Sequence, residues 1–187
     1  LLLPLITMNV FDATLRFAME KSMIKESVLT NSLVVWCFSA VFSCFGMIFV
    51  YALNLSNKWY LALLFLIILF QGGQSILSQY ARGIGKSKLF AAGGVILTFL
   101  TGALNIFFLV FLHAGITGYL MSLVLANLGT ILFFAGTLSI WQTINFKVID
   151  KKMIWQMLYY ALPLIPNAIM WWLLNASNRY FVLFFLG

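Results

Sequence analysis

Apolar residues run along this chain in long blocks separated by short polar connections. A helix that crosses a bilayer needs roughly 20 largely apolar residues. By that measure the sequence predicts a partial segment at 1–17 and full spans at 29–53, 59–82, 89–112 and 117–141, with a long last segment starting near Met157. The connections alternate between charged stretches (18–28, 82–88, 142–156) and almost uncharged ones (54–58, 113–116). Both ends of the chain fall inside hydrophobic runs, with no initiator Met and no signal-peptide pattern, so the sequence reads as a fragment.

Composition agrees with this pattern. Of the 187 residues, 64% are hydrophobic and 8% charged, and the mean hydropathy is +1.06. Soluble domains carry about 25% charged residues. A soluble enzyme, a disordered tail and a nucleic-acid-binding domain are therefore excluded. The formal charge of +7 is a topology signal. Arg16, Lys21, Lys25, Arg82, Lys86, Lys88, Lys147, Lys151 and Lys152 lie on or beside alternate connections. That leaves Lys58 on the opposite side and Arg179 within a span. Basic residues concentrate in cytoplasmic loops, so these nine orient the spans with the charged connections inside the cell.

Polar side chains in a span are costly unless they face protein or water, so their angular placement points to function. At 100° per residue, Asn9, Asp12, Arg16 and Glu20 fall within about 80° of arc. Asp12 and Arg16 stand four residues apart, as a neutralising ion pair or as a cavity pair for an anion or coupling ion. The span 59–82 gathers Gln71, Gln74, Ser75, Ser78, Gln79 and Arg82 in its inner half. In 89–112, Gly94, Thr98, Thr101 and Asn105 share a small, polar face suited to close helix packing. In the last segment Tyr160, Asn167, Trp171, Asn175, Asn178 and Arg179 fall within about 120°. Pro163 and Pro166 should bend that helix near its start, and Arg179 is expected to face a wet interior.

Other motifs carry less. Cys37 and Cys44 are about 10 Å apart along one helix, too far for a disulfide, and read as small packing groups. His113 is the only histidine and reads as a solvated loop residue, and no metal spacing or catalytic triad is present. Gly83-Ile84-Gly85-Lys86-Ser87 suggests a phosphate loop but lacks the first glycine, where Tyr80 stands, and the preceding strand. No enzyme, cofactor or metal is expected.

Several strings resemble one family. Tyr160-Ala161-Leu162-Pro163-Leu164-Ile165-Pro166-Asn167, Trp171-Trp172-Leu173-Leu174-Asn175 and Asn178-Arg179-Tyr180 look like the seventh span of bacterial polysaccharide flippases of the Wzx type. Gln79-Tyr80-Ala81-Arg82-Gly83-Ile84-Gly85 resembles the close of their fourth span, Leu15-Arg16-Phe17-Ala18 the end of their second, and Gly118-Tyr119-Leu120 the start of their sixth. The resemblance implies an all-α, MATE-like helical bundle of two six-helix lobes. Residues 1–141 would be a partial N-terminal lobe, 142–156 the cytoplasmic connection between lobes, and 157–187 the truncated first helix of the second lobe.

The implied activity is transfer of undecaprenyl-diphosphate-linked oligosaccharide units across the bacterial plasma membrane by alternating access. Polysaccharide polymerase and chain-length regulator proteins are the implied partners. The implied substrate-binding residues are Arg16, Arg82, Asn167, Trp171, Asn175, Asn178 and Arg179, with Asp12 a candidate for a coupling ion. Many members of the family carry Asp where Asn178 stands, which argues against proton coupling at this position. The alternatives are a MATE-like small-molecule exporter, which would favour an acidic or apolar pocket, and a peptidoglycan-precursor flippase, which differs only in headgroup.

Overall fold

Hydrocarbon offers no hydrogen-bond partners, so a spanning segment must satisfy its backbone within itself, and the helix does this locally. The computed structural model describes residues 7–21, 23–52, 58–144, 148–171, 173–174 and 177, and all regular structure among them is helical. In chain order the helices are α1 (Val10–Met19), α2 (Lys25–Ala52), α3 (Lys58–Gly83), α4 (Ser87–Asn105), α5 (Gly115–Thr137), the short α6 (Ile140–Thr143) and α7 (Lys151–Ala161). A π-helical stretch, Ile106–Phe111, extends α4, and residues 164–171 are again helical. Four stretches are long and apolar enough to cross a membrane: Lys25–Ile48, Trp59–Gly83, Ser87–Phe111 and Gly115–Thr137. They coincide with the four full spans expected from the hydropathy pattern. The protein is an all-α, multi-pass membrane protein.

The helices meet at small residues. A Cβ on Gly93 of α4 would lie 2.2 Å from Phe134 Cζ, and one on Gly83 of α3 would lie 2.5 Å from the Cβ of Ala18 on α1. These glycines let α5 approach α4 and α1 approach α3. The core lies largely toward the basic end of the bundle, where α1, α2, α3, α5 and α7 bury Val10, Phe17, Leu29, Leu77, Phe134 and Met157. By contrast α4 contributes only Gly93 as a buried residue and, among the described residues, packs only against α3, α5 and its own π-helical extension.

Several elements differ from the sequence expectation. The first segment does not run as one helix to residue 17, because Thr7–Asn9 form a turn in which Met8 and Asn9 adopt positive φ (48° and 51°). Asn tolerates the left-handed region better than most residues, and α1 begins only after it. The connection expected at 142–156 is shorter, since α7 already starts at Lys151 and Met157 lies in its middle. Asp150 sets that start, its side chain accepting from the Lys152 N–H at 2.8 Å as a helix cap. Cys37 and Cys44 are not packing groups: both are free and exposed, on a face of α2 shared with Phe38, Val41, Phe45 and Ile48.

Candidate functional site

The charged connections gather at one end of the bundle, as the topology argument requires. The α3–α4 link packs near the C-terminus of α1, through Gly83 against Leu15 and Ala18. The segment before α7 is bonded to the first turns of α2. Exposed Arg16, Lys21, Lys25, Arg82, Lys86, Lys88, Lys151 and Lys152 therefore share that end.

One open cleft at this end holds several of the predicted chemical groups. It has a volume of about 470 Å³ and is lined by Arg16, Phe17, Glu20, Met23, Gln156, Tyr159, Tyr160 and Pro163. The guanidinium carbon of Arg16 sits 4.3 Å from the centroid of the Tyr160 ring, a cation–π contact between α1 and α7. The edge of the same ring system meets Phe17, with centroids 6.5 Å apart and planes at 84°. Tyr160 thus contacts both Phe17 and Arg16, and Arg16, with its guanidinium N–H donors, lines the cleft together with Glu20. Five such donors in a planar fork suit a phosphate or carboxylate.

The expected Asp12–Arg16 ion pair does not form among the described residues. Asp12 accepts instead from Asn9 Nδ2 at 2.9 Å, within the turn that starts α1. Because Asn9 precedes the helix, it does not continue a helical stripe through Asp12 and Arg16. A turn stands where the proline bend was expected: Pro163 lacks an N–H, and residues 162–163 separate α7 from the helix 164–171. Asn167 and Trp171 are exposed on the second helix, and neither lines the cleft. Asn175, Asn178 and Arg179 lie outside the described residues.

Arg82 is exposed at the end of α3 and does not line the cleft either; its guanidinium carbon is 5.5 Å from the ring centroid of Phe90 on α4. The glycines beside it form a helix stop. Gly85 has φ +84°, the Lys86 N–H bonds to Ala81 O and the Gly85 N–H to Arg82 O, both at 3.0 Å. This is a Schellman closure. It engages the backbone N–H groups that a phosphate loop would present, so the partial Gly-x-Gly-Lys-Ser match is a helix terminus.

The polar groups of the other spans serve packing more than a cavity. Gln74 and Ser78 are buried, whereas Gln71 is exposed. Asn105 of α4 accepts a hydrogen bond from Ser122 of α5. Gly94 and Thr98 face outward, and nothing lies within 4 Å of a Cβ on Gly94.

A buried polar cluster on α2 is the part sequence reasoning missed. Asn31 is fully buried; its Nδ2 donates to Ser27 O at 2.8 Å and lies 3.4 Å from Val148 O, and its Oδ1 accepts from the Asp150 N–H at 3.0 Å. Ser27 Oγ donates to Val148 O at 3.3 Å, and Thr14 of α1 donates to Ser32 at 2.8 Å. This cluster ties α1 and the approach to α7 onto α2, and so sets where Tyr160 meets Arg16. The signal was present as Ser27-Val28-Leu29-Thr30-Asn31-Ser32, four polar residues in six at the head of a span. Among the described residues no group of three His, Cys, Asp or Glu could hold a metal ion.

Compared with known proteins, the chain matches no family model, no curated protein and no solved structure.

Proposed function

We propose that this protein moves a lipid-linked, diphosphate-bearing oligosaccharide across the bacterial plasma membrane as a flippase of the Wzx type. The observation that carries the proposal is Arg16, held over Tyr160 at 4.3 Å in an open cleft at the basic end of the bundle. A doubly anionic, sugar-bearing headgroup cannot cross hydrocarbon unaided. A guanidinium in a wet cleft binds a diphosphate through short, charge-assisted hydrogen bonds. Gln156 and the phenol of Tyr159, on the same cleft, supply donors and acceptors of the kind sugar hydroxyls require.

The lipid tail stays in the bilayer while the headgroup enters. The turn at 162–163 supports the alternating-access part of the reading, since it joins α7, packed on α1 and α2, to a second helix at a proline. Rocking of one helical unit against another about such a joint exposes a fixed site to each side in turn. The resemblance of the Leu15–Ala18, Gln79–Gly85 and Tyr160–Asn167 strings to the flippase family supports the choice of substrate.

The test is complementation by the protein encoded by the complete reading frame, in a strain lacking its own copy. Arg16→Ala is expected to abolish surface polysaccharide while membrane levels of the protein stay normal, because Arg16 is exposed. Arg16→Lys should restore it in part, since an ammonium keeps the charge but loses the planar fork. Normal polysaccharide in the Arg16→Ala strain would refute the proposal.

A further inference from the structure

Three cations, Arg82, Lys86 and Lys88, stand within seven residues at the junction of α3 and α4, and all three are exposed. In the other two charged connections basic residues have acidic neighbours in sequence: Glu20 lies near Arg16 and Lys21, Glu26 follows Lys25, and Asp150 precedes Lys151. Here there is none. The chain contains no Asp or Glu between Glu26 and Asp150, and among the described residues α4 packs only against α3, α5 and its own extension, which all lie inside that interval. Lys86 and Lys88 therefore meet no acidic residue on a helix packed against α4, while Arg82, on α3, stands nearer to α1 and α2, which carry Glu20 and Glu26.

The same helix presents a long uncovered apolar face. Of the residues in the Ser87–Phe111 span, none in its most apolar window is buried, and Val95, Phe99 and Ile106 are 69%, 72% and 58% exposed. At 100° per residue Lys88, Ala91, Val95, Gly102 and Ile106 fall within about 60° of arc, so Lys88 stands at the inner end of that face. Gly102, with open space where a Cβ would be, makes the face shallow at that level. The Schellman closure fixes the loop, and Phe90 under Arg82 holds the guanidinium at the α4 side of it. Charge at the headgroup level is thus continuous with an apolar strip at the acyl level.

We infer that Arg82, Lys86 and Lys88 form a binding site for an anionic phospholipid of the inner leaflet, with its acyl chains lying along the exposed face of α4. The phosphate meets the three cations, and the apolar strip receives the chains. A free phosphate would gain nothing from that strip, and a zwitterionic lipid would gain little from the net positive charge. The site is separate from the Arg16 cleft, since none of its three cations lines it.

The experiment is native mass spectrometry of the protein from its complete reading frame, released from mixed micelles containing equal phosphatidylglycerol and phosphatidylcholine. The wild type should retain phosphatidylglycerol preferentially. R82Q/K86Q/K88Q should lose that preference, by about five-fold for each cation removed. A control with the same loss of charge at the same end, K21Q/K151Q/K152Q, should keep it. Should the triple variant fail to fold, Lys88→Gln alone, at an exposed position, must still lower the preference about five-fold. Absence of preference in the wild type, equal losses in the two triple variants, or an unchanged Lys88→Gln would each overturn the inference.

Discussion

Asn31 offers the most informative single perturbation, because one buried amide holds the segment before α7 to α2. Replacing it with Leu keeps the branched skeleton and removes every hydrogen bond its side chain makes. The link lost at good geometry is the Asp150 N–H to Oδ1 bond at 3.0 Å; the contacts to Val148 O and Met153 Sδ are long, both at 3.4 Å. An orphaned buried donor costs about 1–3 kcal/mol. Asp150 is exposed, so water can partly replace the lost acceptor and the lower half of that range applies. The expected cost is about 1–2 kcal/mol, concentrated in local opening of the 148–153 segment rather than in global unfolding. Ser27→Ala removes the 3.3 Å bond to Val148 O, a 3.4 Å contact to Met153 Sδ and a 3.1 Å bond from Asn31, and leaves the Asp150 link in place. Its effect should be about 0.5 kcal/mol. Hydrogen exchange of peptides covering 148–153, in protein held in nanodiscs, reads both. Asn31→Leu should speed exchange there by about ten-fold, roughly the factor that 1.4 kcal/mol represents, and Ser27→Ala by much less. Unchanged exchange in Asn31→Leu, or a larger effect from Ser27→Ala, would refute the reasoning.

Neighbouring glycines on α4 should behave oppositely. Gly93→Ala places a Cβ against the buried ring of Phe134 and should cost about 1–3 kcal/mol, while Gly94→Ala, into open space, should leave the melting temperature unchanged or slightly raised. Thermal unfolding in one detergent compares them directly. Gly85→Ala strains the helix stop at φ +84° and should destabilise by about 1 kcal/mol, visible in the same assay. Cys37 and Cys44, exposed on an apolar face of a membrane span, should react in intact membranes with an apolar maleimide and resist a charged thiosulfonate reagent. With both native cysteines replaced, a cysteine at Lys86 should be labelled by that charged reagent only from the cytoplasmic side, and one at His113 only from the opposite side.

The spans were legible because length and hydropathy decide them before any packing does: α2 to α5 lie where the apolar blocks put them. Proline was equally direct, with Pro163 in the turn that follows α7. What helical counting could not supply was which residues beyond the turn at 162–163 reach the cleft: Tyr160 lines it and Asn167 does not. Nor could counting show that Asn9 would leave the helix through a left-handed conformation and take Asp12 as its partner, freeing Arg16 for Tyr160. That partnership joins residues 144 positions apart and depends on how α1 and α7 cross. The Asn31 cluster was visible as polar residues in a span but not as a tie, because Val148 and Asp150 contribute only backbone groups, which every residue carries. Cys37 and Cys44 show the reverse error, since small apolar side chains serve a lipid-facing surface as well as a core.

The central claim is that Arg16 receives a lipid-linked diphosphate in a cleft at the cytoplasmic end of the bundle. It is tested most directly by reconstituting the protein from its complete reading frame into proteoliposomes and measuring translocation of a fluorescent undecaprenyl-diphosphate oligosaccharide. Wild type should move it, Arg16→Ala should not, and Arg16→Lys should fall between them. Translocation by Arg16→Ala at the wild-type rate would contradict the account.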